Sequence, residues 1–593
     1  MANILGISCF YHDAAAALLV DGRLAAAAEE ERFSRVKHDF GFPGLAADFC
    51  LRKGGIAAGD LDYVVFYEKP FQKFERILLT VLQTFPRSRK VFQEAMINWF
   101  GDKLWVKGII HKRLGVPLDR ILFVEHHLSH AASAYFASPF DEAAVLTVDG
   151  VGEWTTTAMG RAKGSEIVLE REQRFPHSLG LLYSAFTAFL GFQVNEGEYK
   201  VMGMAPYGEP KHLDAVWKVV RRDGGGGFSL DMDYFAFHRS ATDSFSEKFV
   251  DLFGAPREPE TKFFTRSSGY PSYYGAKPPD YESACRRNEH YSDIAASIQR
   301  VTEELVLDMA KELRRSTGLD RLCMAGGVAL NSVANGRLLK ESGFREFYIQ
   351  PAAGDGGGAL GAALYVHNAL LGGARSPVME HAYWGEEHSA GEAAAQLGEA
   401  GARWEEIADE EKLMDRVVER LCAGEVIGWH QGRFEWGPRA LGSRSILANP
   451  TKEEMKEIIN TKIKFREPFR PFAPSVLAEG AAPYFDLDDP PRHYPARFML
   501  LVVPVREEKR AEIPAVTHVD GSGRLQTVVR ETNPRYHRLI EKFGEATGVP
   551  MVVNTSFNLR GEPIVASPAN AYRTYMASEM DALVVGNFLL SKR

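Results

Sequence analysis

His126 and His130 stand four residues apart in a helix-like run, HHLSHAASAYFA, so both imidazoles can reach one metal ion from the same face. Asp149 and Asp355 sit on two glycine-rich turns, Asp149-Gly150-Val151-Gly152 and Gly354-Asp355-Gly356-Gly357-Gly358, and could complete a His/His/Asp/Asp set. Imidazoles beside hard carboxylate oxygens suit Fe(II), Mn(II) or a similar ion better than a thiol-rich zinc site does. Paired histidines on a helix also occur as ordinary surface or capping residues, so spacing alone leaves both readings open. His12 precedes Asp13 on a polar turn near the N-terminus. A histidine there can take a proton from an incoming hydroxyl, because its pKa lies near neutrality, or can simply bond to turn backbone. The chain has neither HExxH nor GxxxxGK[ST], which excludes zincin proteases and P-loop enzymes.

A second candidate site is cationic. Arg439, Arg444, Lys464, Arg466, Arg470 and Arg524 fall in strings rich in Trp, Phe, Gly and Pro, which implies partial burial. Semi-buried guanidinium groups need anionic partners, and polyphosphate is a natural one. A structural salt-bridge network is the competing explanation. Ser556 and Asn558 add short polar groups fit for phosphate or ribose contacts.

The elements that must position these residues read as α/β. A strand over 3–10, a polar turn and a returning strand over 14–20 are echoed by strands over 143–148 and 155–159 around the Asp149 turn. This repetition suggests a duplicated domain of the actin-like and sugar-kinase-like kind, whose two turns hold nucleotide phosphates. A long helix is expected from an N-cap at Ser292, with an apolar stripe of Ile294, Ile298, Val301, Leu305, Met309 and Leu313, ending at Gly318. Then come a strand over 322–325, the turn Gly326-Gly327, a helix from about 330, a strand over 347–350 and a helix over 359–371. Strand, glycine turn and helix N-terminus can offer backbone N–H groups to an anion; close helix–strand packing favours the same glycines. The break at 372–377 marks a domain boundary, followed by an acidic helical stretch over 392–421 and a second α/β region. The irregular segment 221–290, with Tyr270, Tyr273, Tyr274 and Tyr281, reads as a binding loop or a surface elaboration.

With 593 residues, the chain has room for several domain-sized units. A net charge of −8 argues against a protein that mainly coats nucleic acid. Five scattered cysteines without a CxxC pair point to reduced thiols in the cytoplasm. Neither a basic-then-apolar leader nor a membrane-length apolar run is evident, so no membrane partner is expected.

The strings HDAAAALLVDG, RALGSRSI, REPFRPFAPS and NTSFNLRGEPI resemble the O-carbamoyltransferases of the nodulation-factor, cephamycin and tobramycin type, over nearly the whole chain. The resemblance implies a Kae1-like domain of the actin/sugar-kinase superfamily over 1–376, with an insertion at about 221–290, and a YrdC-like α/β domain over 377–593. It implies that the C-terminal domain makes carbamoyl adenylate from ATP, with Mg²⁺, and carbamoyl phosphate. The N-terminal domain then passes the carbamoyl group to a hydroxyl of a small molecule or sugar. In that scheme Fe(II) is held by His126, His130, Asp149 and Asp355, and His12 is the base. Gly327, Asn331, Gly356 and Gly357 hold the adenylate. Lys464, Arg466, Ser556 and Asn558 match the Lys-x-Arg and Ser-x-Asn elements, and Arg439, Arg470 and Arg524 neutralise phosphates. A homodimer is compatible with the resemblance. The same two folds also serve threonylcarbamoyl-type tRNA modification, and the actin-type fold serves kinases and ATPase switches, so these stand as alternatives.

Overall fold

The computed structural model describes residues 2–101, 103–375, 377–464 and 466–592. The chain divides into two compact units. One comprises Met1–Glu30, Asp39–Ser267 and Asp280–Met379; the other comprises Glu31–His38, Ser268–Pro279 and Glu380–Arg593. Two short stretches of the N-terminal half therefore pack with the C-terminal unit. The boundary placed at 372–377 includes Ser376, which lies outside the described residues.

The first unit contains one sheet pattern twice. Strands β1 (Ile4–Ser8), β2 (Ala15–Val20), β3 (Arg23–Glu29), β4 (Tyr63–Phe66) and β5 (Ile121–Phe123) lie in the order β3-β2-β1-β4-β5. Strands β1 to β3 are antiparallel, with Ile4 opposite Leu19, while β4 and β5 run parallel to β1. The second sheet comprises β6 (Glu142–Val148), β7 (Thr155–Lys163), β8 (Glu166–Arg174), β9 (Arg321–Ala325) and β10 (Glu346–Ile349), in the order β10-β9-β6-β7-β8. Its first three strands are again antiparallel, and β9 and β10 are parallel to β6. The repeated hairpins seen in the sequence are thus two copies of one five-stranded topology, as an actin/sugar-kinase-like fold requires.

Two helices join the halves of this unit. Helix α1 (His126–Tyr135) leaves the first sheet and packs on β6 and β9 of the second. The long helix α2 (Tyr281–Thr317) and α3 (Ser332–Glu341) precede α4 (Asp355–Tyr365), which leaves the second sheet and packs on β1 and β2 of the first. Helices α1 and α4 touch where Gly361 approaches Ser129: a Cβ on Gly361 would stand 1.8 Å from the Ser129 carbonyl oxygen. Gly6 permits the same closeness on the other side, since its Cβ would fall 1.8 Å from the Ala359 oxygen. Core packing thereby brings the start of α4, with Asp355, to the start of α1, with His126 and His130.

Several boundaries differ from those expected. Helix α2 begins at Tyr281 rather than at Ser292, whose hydroxyl donates to the Asn288 carbonyl within the helix (2.9 Å). Its end at Gly318 is as expected, with the glycine left-handed at φ +71°. The helix expected over 359–371 starts four residues earlier, at Asp355, so Gly356, Gly357 and Gly358 are its first turn. Packing explains this: a Cβ on Gly357 would lie 2.0 Å from the Ala352 oxygen, and one on Gly358 would lie 2.7 Å from the Tyr67 ring. The acidic stretch 392–421 is two helices, Ala390–Glu399 and Glu410–Ala423, capped by Ser389 and Asp409. The irregular segment contains a hairpin (Val220–Gly224 with Gly227–Leu230) and a helix, Glu247–Phe253, whose Phe249 and Phe253 pack on Phe186 and Phe189.

The second unit is built on a nine-stranded mixed sheet. Its strands are β11 (Glu405–Glu406), β12 (Ile427–His430), β13 (Arg444–Ala448), β14 (Ala473–Leu477), β15 (Leu501–Pro504), β16 (Ser522–Val528), β17 (Met551–Ser556), β18 (Ala582–Val585) and β19 (Phe588–Ser591). They lie in the order β11-β19-β18-β12-β13-β17-β14-β16-β15. Trp429, Leu447, Val552 and Val584 on the sheet, with Val417, Leu421, Tyr536, Ile540 and Phe543 on the covering helices, form its core. All five cysteines are free thiols. No described helix is long and apolar enough to cross a membrane.

Candidate metal centre and anion site

The four predicted ligands meet. His126, His130, Asp149 and Asp355 are buried and each offers an atom within 4.8 Å of the others. His126 Nε2 lies 3.0 Å from Asp149 Oδ2 and 3.1 Å from His130 Nε2, and Asp355 Oδ1 is 3.6 and 3.7 Å from the two imidazole nitrogens. Asp355 Oδ1 is buried with no hydrogen-bond partner. A buried carboxylate oxygen that faces two imidazole nitrogens and lacks a donor fits a divalent cation, and the N/O donor set fits a transition ion.

The surrounding residues fix this set. Asp149 follows β6, and its Oδ1 accepts the Gly327 N–H at 2.8 Å, so Gly327 supports a ligand directly. Tyr67 at the end of β4 donates its hydroxyl to Asp355 Oδ2 (3.2 Å). Glu153 accepts the first N–H of α1, from His126, at 3.1 and 3.2 Å, and also the Lys69 N–H at 2.7 Å. A carboxylate at a helix N-terminus satisfies otherwise open donors and complements the helix dipole. His127, between the two ligands, turns away and bonds Thr147 Oγ1 at 2.7 Å. Burial and its cationic neighbours push its pKa well down, so it stays neutral.

Charge in this cluster is tightly coupled. Burial works against a charged His126, but its hydrogen bond to Asp149 and the charge of Asp355 prevail and raise its pKa to about 9. Asp149 is held well below the usual carboxylate range: hydrogen bonds from His126 and His130 outweigh its desolvation. His12 joins the same cluster, with Nδ1 3.0 Å from Asp13 Oδ2 and Nε2 3.8 Å from Asp355 Oδ2. Burial opposes its charge as well, yet Asp355 and Asp13 lift it to about 10. Asn331 belongs to a different network. It caps α3 through Ala334 N–H (3.1 Å) and exchanges amide hydrogen bonds with Gln299 (3.0 and 3.1 Å). Gly356 and Gly357 are buried inside the first turn of α4.

The cationic cluster of the second unit also assembles. Lys464 ends a π-helical turn, Asn460–Lys464, a geometry often found at functional sites. Its ammonium donates to the Ser556 oxygen (2.5 Å), the Asn558 oxygen (3.0 Å) and Asn558 Oδ1 (2.9 Å), while Ser556 Oγ donates to Asn558 Oδ1 (2.7 Å). Burial and the guanidinium groups of Arg466 and Arg470 push the Lys464 pKa well down. Burial and the charges of Arg439 and Arg466 do the same to Arg524. Arg470 pairs with Glu467 (2.8 Å), and Arg466 donates to Asn460 Oδ1 (2.9 Å) and stacks on Phe472. Cations this close stabilise one another poorly, and a polyanion relieves the strain.

Arg444 departs from its expected role in this cluster. It is fully buried, and its guanidinium donates to five backbone carbonyls, those of Gln431, Ser443, Ala566, Glu386 and Gly432, at 2.7–3.2 Å. It ties loops together, with Nε, Nη1 and Nη2 all donating to backbone carbonyls. Glu153, Tyr67 and Asn460 support the two sites without any motif to announce them.

The comparisons with known proteins cover both halves. A family described as the carbamoyltransferase N-terminus matches residues 3–364, and one described as the carbamoyltransferase C-terminus matches 418–592. The chain is 47% identical to the uncharacterized protein sll1178 of Synechocystis sp., across all of this chain and 97% of that one. It is 38% identical to nodulation protein NolNO of Sinorhizobium fredii, over 98% of this chain and 79% of that protein. Identity to the 3'-hydroxymethylcephem-O-carbamoyltransferase of Streptomyces clavuligerus is 33%, over 53% of this chain and 58% of the other. With both of its halves matched, the chain belongs to the carbamoyltransferase family and is a transferase enzyme.

Proposed function

We propose that the chain is an ATP-dependent O-carbamoyltransferase that works in two half-reactions, one in each unit. The observation that carries this reading is the opposite chemistry of the two buried clusters: imidazole and carboxylate in the first unit, ammonium and guanidinium in the second. In the second unit, water cleaves carbamoyl phosphate to carbamate and phosphate, and a carbamate oxygen then attacks the α-phosphorus of ATP, with Mg²⁺, to give carbamoyl adenylate and release pyrophosphate. Lys464, Arg466, Arg470, Arg439 and Arg524 offset the phosphate charge, most strongly as it develops on the leaving group. Ser556 and Asn558 orient Lys464 through the hydrogen bonds described above.

In the first unit, His126, His130, Asp149 and Asp355 hold a divalent cation, which the resemblance assigns as Fe(II). When bound, such an ion polarises phosphate or carbonyl oxygens. His12 keeps Nδ1 on Asp13 and presents Nε2 to the acceptor hydroxyl. A cation balancing Asp355 and Asp149 would offset part of the field that holds His12 protonated, the Asp13 contribution remaining, and Nε2 could then accept the hydroxyl proton. Gly327, Gly356 and Gly357, with Asn331, are the proposed nucleotide contacts. The acceptor is a hydroxylated small molecule or sugar, consistent with the names of the nodulation and cephem relatives.

Two variants test the division of labour. Lys464→Ala should abolish carbamoyl-phosphate-dependent pyrophosphate release while the first unit still binds metal. His126→Ala should lose metal binding and carbamoyl transfer but keep pyrophosphate release. Loss of pyrophosphate release in the His126 variant, with its circular dichroism unchanged, would sink the two-site scheme.

A further inference from the structure

The helix Pro70–Thr84 is amphipathic the wrong way round. Its inward side carries Lys73 and Arg76, which are only 6% and 7% exposed. Lys73 pairs with Glu68 (2.5 Å) and lies over the Tyr11 ring, and Arg76 donates to the Gly152 carbonyl (3.2 Å), so both support the metal-centre loops. Its outward face, at helical spacing, presents Phe71 and Leu82, which are 72% and 63% exposed. The apolar surface continues beyond this helix. Phe85 follows its last turn, Ile97 projects from the helix Arg89–Gly101 packed against it, and Trp105 leads into the helix Val106–Leu114; each of the three is at least 60% exposed. Large apolar side chains exposed together on elements that pack against one another point to an interaction surface.

Charge identifies the partner. Residues 70–120 hold ten Lys and Arg against four Asp and Glu, in a chain whose net charge is −8. Arg87, Arg89, Lys90, Lys107, Lys112 and Arg113 are exposed along the same segment, where they outnumber the exposed acids Glu75, Glu94 and Asp119, and none of the six is in an ion pair among the described residues. A two-fold contact with a second copy would set this basic patch against itself, which like-charge repulsion disfavours. A segment that exposes Phe, Leu, Ile and Trp together with an excess of Lys and Arg matches an anionic lipid surface, where rings and aliphatic chains enter the headgroup region and cations meet phosphate.

We infer that residues 70–101 and 103–118 form a peripheral docking surface for anionic membranes, carried by the helix whose inward side supports the metal-centre loops. No described helix crosses a bilayer, so the attachment is interfacial and reversible. This goes beyond the carbamoyl-transfer reading and replaces the expectation of no membrane partner.

Flotation of the full chain with phosphatidylcholine vesicles, with or without phosphatidylglycerol, tests the inference without any need for turnover. Binding is expected only with phosphatidylglycerol and should weaken at high salt. Leu82→Glu with Phe85→Glu should reduce it by about tenfold or more, given the transfer free energy of two large apolar side chains. Arg89→Glu with Lys90→Glu should also reduce it by about tenfold or more. All four positions are exposed, so folding should be unaffected. No flotation with anionic vesicles, or flotation indifferent to both variants, would overturn the proposal. So would light scattering that shows a dimer which the Leu82/Phe85 variant converts to monomer, since that result assigns the face to a second copy.

Discussion

Asp149 shows how much one side chain must do in the first unit. One carboxylate oxygen faces His126 and His130, and the other anchors the Gly327 N–H. Glu153 has a comparable role one step farther out, where it closes the N-terminus of the ligand helix. Glu153→Gln should weaken metal affinity by about 10- to 100-fold with the fold intact, as loss of an outer-shell partner does, and metal titration would read this. The pKa values of His126 and His12, about 9 and about 10, carry a pH prediction. Both exceed the ordinary histidine value, so near neutrality the metal-free protein holds protons that cation binding must expel. Affinity should therefore rise with pH from about 7 to about 9, with proton release detectable by calorimetry in buffers of different ionisation enthalpy. The same raised values stabilise the metal-free fold: that contribution is complete below the unfolded pKa and is lost as pH climbs through about 9 to 10. At this scale the sequence was readable where residue type limits chemistry, as for two histidines at i, i+4. It was silent on Glu153 and Tyr67, because an acid in a loop and a tyrosine at a strand end acquire their roles only from distant partners. Arg444 misled for the same reason: its neighbours in sequence suggested an anion, and its neighbours in space are carbonyls.

Elements were legible where local chemistry dictates them and less so where packing does. The two hairpins follow from alternating β-prone residues and acidic glycine turns, and Gly318 ends α2 because a left-handed residue is needed there. The start of α2 was misplaced because Ser292 has the residue type of an N-cap but sits in a helix whose earlier turns pack on the insertion. The glycines of α4 suit both an anion-binding turn and close packing, and packing alone already demands two of them: a Cβ on Gly357 or Gly358 would meet the Ala352 oxygen or the Tyr67 ring. Contact between α1 and α4 at Gly361 is what sets Asp355 against His126. Gly361→Ala places a methyl group 1.8 Å from the Ser129 oxygen. It should cost about 1–3 kcal/mol by overpacking and weaken the metal site as α4 moves away. Thermal unfolding and metal titration of the same variant would show both effects together.

At the scale of the whole molecule, family membership says that a carbamoyl group is transferred. Our scheme assigns its activation to one unit and its transfer to the other. This division protects a water-sensitive adenylate only if each cluster does a different reaction, so the products made from ATP decide it. The most direct measurement incubates the purified protein with ATP, Mg²⁺ and carbamoyl phosphate and resolves nucleotides and pyrophosphate by chromatography. The scheme predicts AMP and pyrophosphate that appear only when carbamoyl phosphate is present. ADP formed whether or not carbamoyl phosphate is added would contradict it and point to a kinase or ATPase use of the same fold.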